Sequence, residues 1–511
     1  MKSFKKYMMI LTGAVILTSC ADFLDVTPQG QLTTDVYFST EESIDNAVAR
    51  VYSSINWRLF RVGTMYFASH EFGSDDVRMN TTDANFTTVY DFTHNASNVY
   101  LQRMWERWYQ YLNDCNQVLE LTKNLSGSAI YLYNAQARYF RAYYHFDLIN
   151  TFGEVILRDH VPSLDEYNIP KSTVEEIYAS VIEDLEFAIQ HLPTRSEWGT
   201  DNLGRVTKGT AKGLLAKVYL YRQDYTNAYL YANEIVNADN EYRLDPSYRN
   251  IFAPDNTYSV ENMMPGHYIY QNINGRNRNP YVELQGIPVN AGTLGVGSCN
   301  FVPSDDFVNA YETGDPRKEA TIMEKGEEIP GYTDEISWRV VMDGSGNITE
   351  EFNYANKKVI FPATGWPNND YFSQELNLLF LRFADILLIY AEAANELDRP
   401  NEALTALEKI RFRARGNKTF EEAGVLPEIT ITNKTDLREL IWKERRIELA
   451  FEGNRWFDLV RYEKVVPNYA TNILYNLGRT NFVHRKHSQF PIPSACISSS
   501  DGVLEQNPEW K

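Results

Sequence analysis

The stretch LFLRFADILLIYAEAANE, residues 379–396, decides the fold of this chain. It reads as a helix in which small alanines alternate with bulky apolar side chains, and the stretches 135–144 and 211–219 resemble it. In both of those earlier stretches two alanines stand five residues apart. Small side chains let helices approach closely, while large ones fill the groove of the next helix. The recurring pattern therefore predicts packed helices in repeated units.

Each of these helices is followed by a second amphipathic helix. We predict the partner helices at 172–191, 225–238 and 401–415, and a fourth unit at 436–452. Ser172 with Glu175 has the spacing of a capping box, and Pro400 suits the first turn of a helix. Helix pairs that repeat in this way are typical of a tetratricopeptide-type solenoid. The prediction is a mainly α protein, one compact body built on about four such pairs.

Two parts of the chain lack helical periodicity. Residues 57–98 are predicted to form a long loop region, followed by a helix at 99–122. The second part, 240–375, is rich in Gly, Asn, Pro and aromatic residues, and we predict one hairpin in it, between 338–342 and 348–352. A segment of this length without helices is usually functional, because loops on a rigid scaffold commonly carry recognition.

The amino terminus has the pattern of a bacterial lipoprotein signal. A basic start precedes an apolar run from Tyr7 to Leu17, and small residues then lead to Cys20. The apolar run is shorter than the roughly 20 residues that span a bilayer. We therefore predict a signal peptide at 1–19, lipidation of Cys20 and a tether at 20–40. The alternative is an ordinary secretory signal in which the cysteine is incidental.

Composition narrows the classes of partner. The 511 residues carry a net charge of −19, which disfavours nucleic acid and anionic membrane surfaces, since both require a basic surface. After Cys20 the remaining cysteines are Cys115, Cys299 and Cys496, too few and too far apart for a disulfide framework or a zinc site. They are predicted to be buried small hydrophobes. No motif indicates a cofactor or a metal.

Four segments resemble the SusD/RagB family of outer-membrane nutrient-binding lipoproteins from Bacteroidetes. They are Cys20–Asp25, Ala137–Val155, Leu379–Glu396 and Glu444–Leu459, and they follow one another in the order found in that family. The resemblance implies a non-enzymatic, lipid-anchored protein on the cell exterior that captures oligosaccharide and delivers it to a SusC-like TonB-dependent transporter. It also implies one domain at 41–511, in which an irregular insert, 241–375, separates the helical parts 41–240 and 376–511.

Aromatic side chains in the non-helical segments are the candidate ligand-binding residues. Sugar rings stack their C–H faces on aromatic planes, while their hydroxyls need amide or charged groups at the edge. We predict a platform of Trp338 or Trp366 with Phe86 or Tyr90 opposite, and further contacts from Tyr281 and Asn80. For any one of these aromatic residues, packing inside the protein is the alternative.

Two other functions remain open. A lipid-anchored glycoside hydrolase would need a pair of carboxylates across a cleft. The adjacent pairs are Asp75-Asp76, Asp305-Asp306 and Glu350-Glu351, which are predicted to form turns or solvated surface. A repeat scaffold that binds only protein partners fits the helix pairs equally well, because fold alone does not choose a function.

The charged helix before Gly453 is predicted to be structural. Arg445 and Glu448 are one turn apart and should form an ion pair. Gly453 should end the helix in a left-handed conformation, and Trp456 and Phe457 should fill the core.

Overall fold

A computed structural model describes residues 41–56, 70–238, 240–266, 284–286, 299–328, 340–342, 348–361, 376 and 378–511. The chain divides into two compact units, residues 1–46 and 47–511. Of the first unit, only the start of helix α1 (Glu41–Asn56) is described. The predicted signal peptide and tether lie outside the described residues. Among the helices of the described residues, none is long and apolar enough to cross a membrane.

The described helices follow the predicted order. Before the insert they are α2 (Ala84–Tyr90), α3 (Val99–Thr122), α4 (Ser128–Phe152), α5 (Val174–His191), α6 (Arg195–Trp198), α7 (Lys208–Tyr221) and α8 (Tyr225–Asn237). Within the insert they are α9 (Asp305–Ala310) and α10 (Pro316–Thr321). After it come α11 (Phe383–Glu396), α12 (Pro400–Ala414), α13 (Phe420–Ala423), α14 (Lys434–Glu448), α15 (Arg455–Val465), α16 (Tyr469–Asn476), α17 (His484–His487) and α18 (Ser494–Ser499).

The strands are short and form antiparallel pairs. They are β1 (Val77–Met79), β2 (Asn262–Gly266), β3 (Phe301–Pro303), β4 (Ile322–Glu324), β5 (Val340–Met342), β6 (Ile348–Glu351), β7 (Tyr354–Asn356) and β8 (Leu378–Arg382). The pairs are β1 with β3, β2 with β8, β4 with β7 and β5 with β6. The last pair confirms the predicted hairpin. Because β8 runs directly into α11, the β2–β8 pair joins the insert to the helical stack.

The long helices form one continuous stack. Helix α4 packs against α3 and α5, α5 against α7, α7 against α8, α8 against α11, and α11 against α12 and α14. Small residues make close approaches possible: a Cβ on Gly213 of α7 would lie 2.9 Å from Leu381 Cδ2 of β8 and 3.0 Å from Ile386 Cδ1 of α11. In α11, Ala384, Ala391 and Ala393 are fully buried. The mainly α fold of paired helices is therefore confirmed, and α3 has the predicted bounds.

Several predicted boundaries are wrong by a few residues. Helix α5 is capped by Thr173, whose N–H donates to Glu176 at 2.8 Å. Ser172 cannot take that role because its own N–H bonds to the Val155 carbonyl in an isolated bridge. Helix α14 ends at Glu448, because the following turn already requires a positive φ of 58° at Phe451.

The irregular segments contain more structure than their composition predicted. Helix α2 lies in the first segment, and α9 and α10 lie in the insert, because brief capped turns leave no long hydrophobic period in the sequence. The core predictions fare better. Trp456 and Phe457 are buried, as are Cys115 and Cys299. Cys496 is only partly buried.

Candidate ligand-binding face

Strands β1, β3 and β7 lie next to one another, and β3 and β7 belong to the insert. The register of β1 on β3 pairs Val77 with Pro303, Arg78 with Val302 and Met79 with Phe301. Strand β7 packs beside β3. Arg78 and the next-but-one residue, Asn80, have the i, i+2 spacing that places side chains on one face of a strand. We give the name β1 face to the half-buried side chains of Arg78 and Asn80 together with the exposed side chain of Asp305.

Asn80 is fixed at the end of β1 by two contacts with the opposite segment. Its N–H donates to the Asn300 carbonyl at 2.6 Å, and its Nδ2 donates to the Cys299 carbonyl at 2.8 Å. The side chain is half-buried. Its Oδ1 accepts no hydrogen bond from any other described residue. The predicted sugar contact Asn80 therefore presents an acceptor that is held in place and available to a hydroxyl.

Arg78 adds charge to this face. Its guanidinium carbon lies 5.3 Å from the centroid of the Phe352 ring, and its Nη1 lies 3.5 Å from the Asp305 carboxylate. The Arg78 and Asp305 side chains are 33% and 64% exposed. Such a pair can both donate to and accept from hydroxyl groups. Sequence reasoning missed Arg78, although its i, i+2 spacing from Asn80 was a usable signal.

The predicted aromatic residues fall into different environments. Phe86 is 4% exposed and its ring packs 5.1 Å from Phe72 and 4.7 Å from Tyr100, measured between centroids. Its ring has almost no face open to a ligand, so we leave Phe86 out of the proposed site. Tyr90 is half-buried, and Arg479 covers its ring at 4.4 Å.

The predicted platform residues Trp338 and Trp366 lie outside the described residues, as do the predicted further contact Tyr281 and the predicted lipidation site Cys20. Their roles stay predictions.

Buried ion pairs hold the segment that leads into β1. Arg455 contacts both carboxylate oxygens of Asp75, at 2.7 and 2.8 Å, and Arg446 contacts Asp76 at 2.7 Å and Asp306 at 2.7 Å. Burial opposes ionisation of Asp75, but Arg446 and Arg455 outweigh it and hold the pKa of that carboxyl well below its usual range. The prediction of solvated surface is therefore wrong for Asp75 and Asp76, since both are buried and arginines from α14 and α15 enclose them.

Burial has the opposite net effect on two neighbouring carboxyls. It raises the pKa of Asp76 to about 6, despite Arg446 and with a contribution from the charge of Asp75. It also raises the pKa of Glu71 to about 8, with Asp76 adding to the shift. Glu71 accepts a hydrogen bond from the Gly453 N–H at 2.8 Å. These carboxyls are enclosed in the protein, which suits a structural role.

The Asp305-Asp306 pair lies on exposed surface, as predicted, whereas the prediction for Glu350-Glu351 stays a prediction. Asp305 and Asp306 stand in the first turn of α9, where Arg78 and Arg446 pair with them. Glu350 and Glu351 lie on β6, and their side chains are outside the described part of the structure.

A second buried network centres on Glu448. Arg382 donates to it at 2.7 Å and Arg317 at 3.2 Å, and Arg413 supplies a third contact. Burial opposes ionisation of Glu448, but Arg413, Arg382 and Arg317 hold its pKa well below the usual range. Arg317 belongs to the insert and Arg382 ends β8, so this network joins the insert to helices α12 and α14.

The predicted ion pair between Arg445 and Glu448 is wrong. Arg445 turns to the flanking helices, where it donates to Asp385 at 2.5 Å and to Asp458 at 2.8 Å. The predicted structural role of this charged helix is nevertheless confirmed, because its ion pairs are buried and linked to neighbouring elements.

Comparison with known proteins covers nearly the whole chain. A model described as "Starch-binding associating with outer membrane" matches residues 22–220. "SusD-like protein P2" of Formosa agariphila is 26% identical over 526 aligned positions, covering 100% of both chains. A "SusD-like protein" of Bacteroides ovatus is 25% identical, covering 93% of this chain and 85% of its own length.

Solved structures of similar fold extend the comparison. A "Laminarin binding SusD-like protein" superposes with a TM-score of 0.72 at 24% identity, covering 91% of this chain and 99% of that one. "Surface glycan-binding protein A" from Bacteroides uniformis gives a TM-score of 0.73 at 24% identity, covering 92% and 100%. The SusD family model matches residues 219–510, more than half of the chain, and the chain therefore belongs to the SusD family.

Proposed function

We propose that this protein captures oligosaccharide at the outer surface of the cell and passes it to a SusC-like TonB-dependent transporter. The observation that carries the proposal is the pair of family matches, which together cover residues 22–510. The fold similarity to a laminarin-binding and a surface glycan-binding protein agrees with it. Binding is reversible, and no bond is made or broken.

The β1 face supports this proposal on chemical grounds. Asn80, Arg78 and Asp305 offer hydrogen-bonding groups to sugar hydroxyls. Trp338 or Trp366 would supply the stacking platform, with Tyr90 and Tyr281 as further candidates. When a polar ligand binds on an open face, much of the favourable interaction energy is cancelled by the entropy lost in ordering the ligand and the side chains. The affinity should therefore be modest.

The test is binding of residues 21–511 to a panel of polysaccharides, followed by single substitutions. Asn80→Ala should weaken binding of the retained glycan roughly two- to tenfold, the loss of one hydrogen bond. Asn472→Ala is the matched control, because Asn472 is exposed on α16. Trp338→Ala and Trp366→Ala test the platform. Retention of no polysaccharide by the unaltered chain would contradict the proposed function.

Attachment to the outer membrane is the second part of the proposal. Lipidation at Cys20 would tether the chain, and the family description of association with the outer membrane agrees with that. Cells grown with labelled palmitate should label the chain, and Cys20→Ser should lose the label and release the protein from the membrane fraction. Persistent labelling of that variant would place the lipid elsewhere.

Delivery requires a surface that contacts the transporter, and one turn is suited to it. Leu164 is 90% exposed and Tyr167 is 60% exposed, yet Arg158 clamps the turn by donating to the Glu166 and Tyr167 carbonyls at 2.7 Å each. Tyrosine is one of the residues that commonly anchor protein interfaces, and a braced backbone loses little conformational entropy on binding.

The corresponding experiment is co-purification of the transporter from the native membrane. Leu164→Asp should reduce the recovered transporter, while Leu230→Asp, on α8 and 48% exposed, serves as the matched control. If the two variants recover equal amounts of transporter, this turn is not the contact surface.

A further inference from the structure

A separate cavity of about 750 Å³ opens between the end of α8, residues 240–244, helix α12 and residues 428–429. Pockets for small ligands commonly have volumes of about 300–1,000 Å³. No residue of the β1 face lines this cavity. It is therefore a second concave site, and its lining indicates what it could hold.

The rim of the cavity carries an excess of one positive charge, because the two cations Arg243 and Lys409 outnumber the exposed carboxylate of Glu428. Arg243 and Lys409 line it and are exposed, and neither forms an ion pair with any residue of the described ranges. Of the two lining carboxylates, Glu408 is held by Arg415 and Glu428 is exposed. Excess positive charge is unusual on a chain whose net charge is −19. A ligand attracted to this rim should carry negative charge.

Deeper in the cavity two arginines are already neutralised. Arg411 pairs with Glu444 at 3.0 Å, and Arg413 pairs with Glu261 at 3.2 Å. These ion pairs hold both side chains in place. The Arg413 side chain is only 2% exposed, yet its Nε has no acceptor among the described residues. A buried donor without an acceptor is costly to the folded protein.

One wall of the cavity is apolar. Phe412 is 39% exposed, and Leu404 and Ile429 stand beside it in the lining. An exposed aromatic ring next to a cationic rim offers a flat surface and a charge partner at once. The C–H face of a pyranose ring can pack on such a surface, while a carboxylate on the same ring reaches the cations.

We propose that this cavity binds an acidic sugar, a hexuronate residue of an oligosaccharide. The carboxylate contacts Arg243 and Lys409, and the ring packs against Phe412. The assignment extends the proposed glycan capture and rests on it for the class of ligand. The cavity would add a preference for acidic over neutral sugars, which is not part of the role proposed for the β1 face.

The test compares a galacturonate trimer with a neutral galactose trimer by calorimetry on the full chain in detergent. We expect the acidic trimer to bind about tenfold or more tightly, the effect of charge-assisted hydrogen bonds. Its affinity should fall as salt rises from about 0.01 M to about 1 M, because exposed charges are screened. Equal affinity for the two trimers would overturn the proposal.

Substitutions locate the site. Arg243→Gln with Lys409→Gln should abolish the preference for the acidic trimer, and Phe412→Ala should weaken binding. The matched control, Arg485→Gln with Lys443→Gln, removes the same charge from exposed positions outside the cavity and should keep the preference. A preference that survives the first double substitution overturns the assignment.

The outcomes also separate this proposal from the proposed function. A neutral glycan that binds through Asn80, with no binding of the acidic trimer, overturns the cavity assignment and leaves the proposed function standing. Binding of the acidic trimer that depends on Asn80 instead of Arg243 overturns the cavity assignment as well. In a third outcome the acidic trimer binds in a way that depends on Arg243, while the β1 face retains no polysaccharide. This outcome supports the cavity as a ligand site and contradicts the β1 face as one.

Discussion

Glu448 should be one of the most sensitive single positions for stability. It is fully buried and accepts hydrogen bonds from Arg317, Arg382 and Arg413. Glu448→Gln keeps the shape of the side chain but removes the negative charge that these arginines share. Breaking a buried pair by removing one partner costs about 3–5 kcal/mol, because the remaining charge stays buried without compensation.

The loss corresponds to about a thousandfold change in the unfolding equilibrium, at roughly 1.4 kcal/mol for each factor of ten. With a urea dependence of about 3 kcal/mol per molar, the midpoint should fall by roughly 1–2 M. The assay is urea unfolding followed by tryptophan fluorescence, with circular dichroism to check that the variant is folded in buffer.

The matched control is Glu183→Gln. Glu183 also pairs with an arginine, Arg138, at 3.4 Å, but its side chain is 76% exposed. Exposed pairs contribute about 0–1 kcal/mol, so this midpoint should hardly move. If Glu448→Gln shifts the midpoint no more than the control does, the network does not stabilise the fold as argued.

Three further predictions concern pH, close packing and helix capping. Burial, with Arg141 adding to it, lowers the pKa of His145 to about 3. Below about pH 6.5 the unfolded chain therefore binds a proton on His145 that the folded chain does not bind. The free energy of unfolding should fall for this reason by about 1.4 kcal/mol per pH unit between pH 6 and 4. His145→Gln should make the fall in urea midpoint with acidification shallower, and an unchanged slope would contradict the assignment. A Cβ on Gly73 would lie 2.7 Å from the buried ring of Trp456, so Gly73→Ala should cost about 1–3 kcal/mol in urea unfolding, whereas a neutral effect would mean that the ring can move. Thr173→Ala should lower the free energy of unfolding by about 1 kcal/mol in the same assay, since it removes the cap of α5. A decrease of similar size from Ser172→Ala would instead favour the capping box predicted from the sequence.

Periodicity predicted the helical stack because it is a local property. Helix α3 begins and ends where its apolar stripe does, at Val99 and Thr122. Errors arose where the boundary depends on a contact distant in sequence. Ser172 lost the capping position because it forms a bridge with Val155, which no local pattern could indicate.

The site was less predictable for the same reason. Asn80 lies on the proposed ligand-binding face, whereas Phe86, which comes from the same non-helical segment of the sequence, packs into the core. Side-chain type alone does not distinguish these outcomes. The ion pairs that position β1 join residues up to 380 positions apart, such as Asp75 and Arg455, so their existence could not be inferred from spacing.

These long-range ion pairs raise the question of why charges occupy positions that apolar side chains could fill. Replacing a buried ion pair by well-packed apolar residues is often neutral or stabilising. We therefore expect Asp75→Leu with Arg455→Met to lose little stability, although each single substitution should cost about 3–5 kcal/mol. Arg446 retains Asp76 and Asp306 as partners in the double variant.

What the double variant should lose is the placement of β1. Arg455 contacts both oxygens of Asp75, a geometry that apolar packing cannot reproduce, and β1 begins two residues later. The Asn80 N–H, which bonds to Asn300, should then exchange its hydrogen faster, while amides in α11 should not. If Asn80 keeps its protection in a stable double variant, the ion pairs are not needed to place the ligand-binding face, and packing alone holds it.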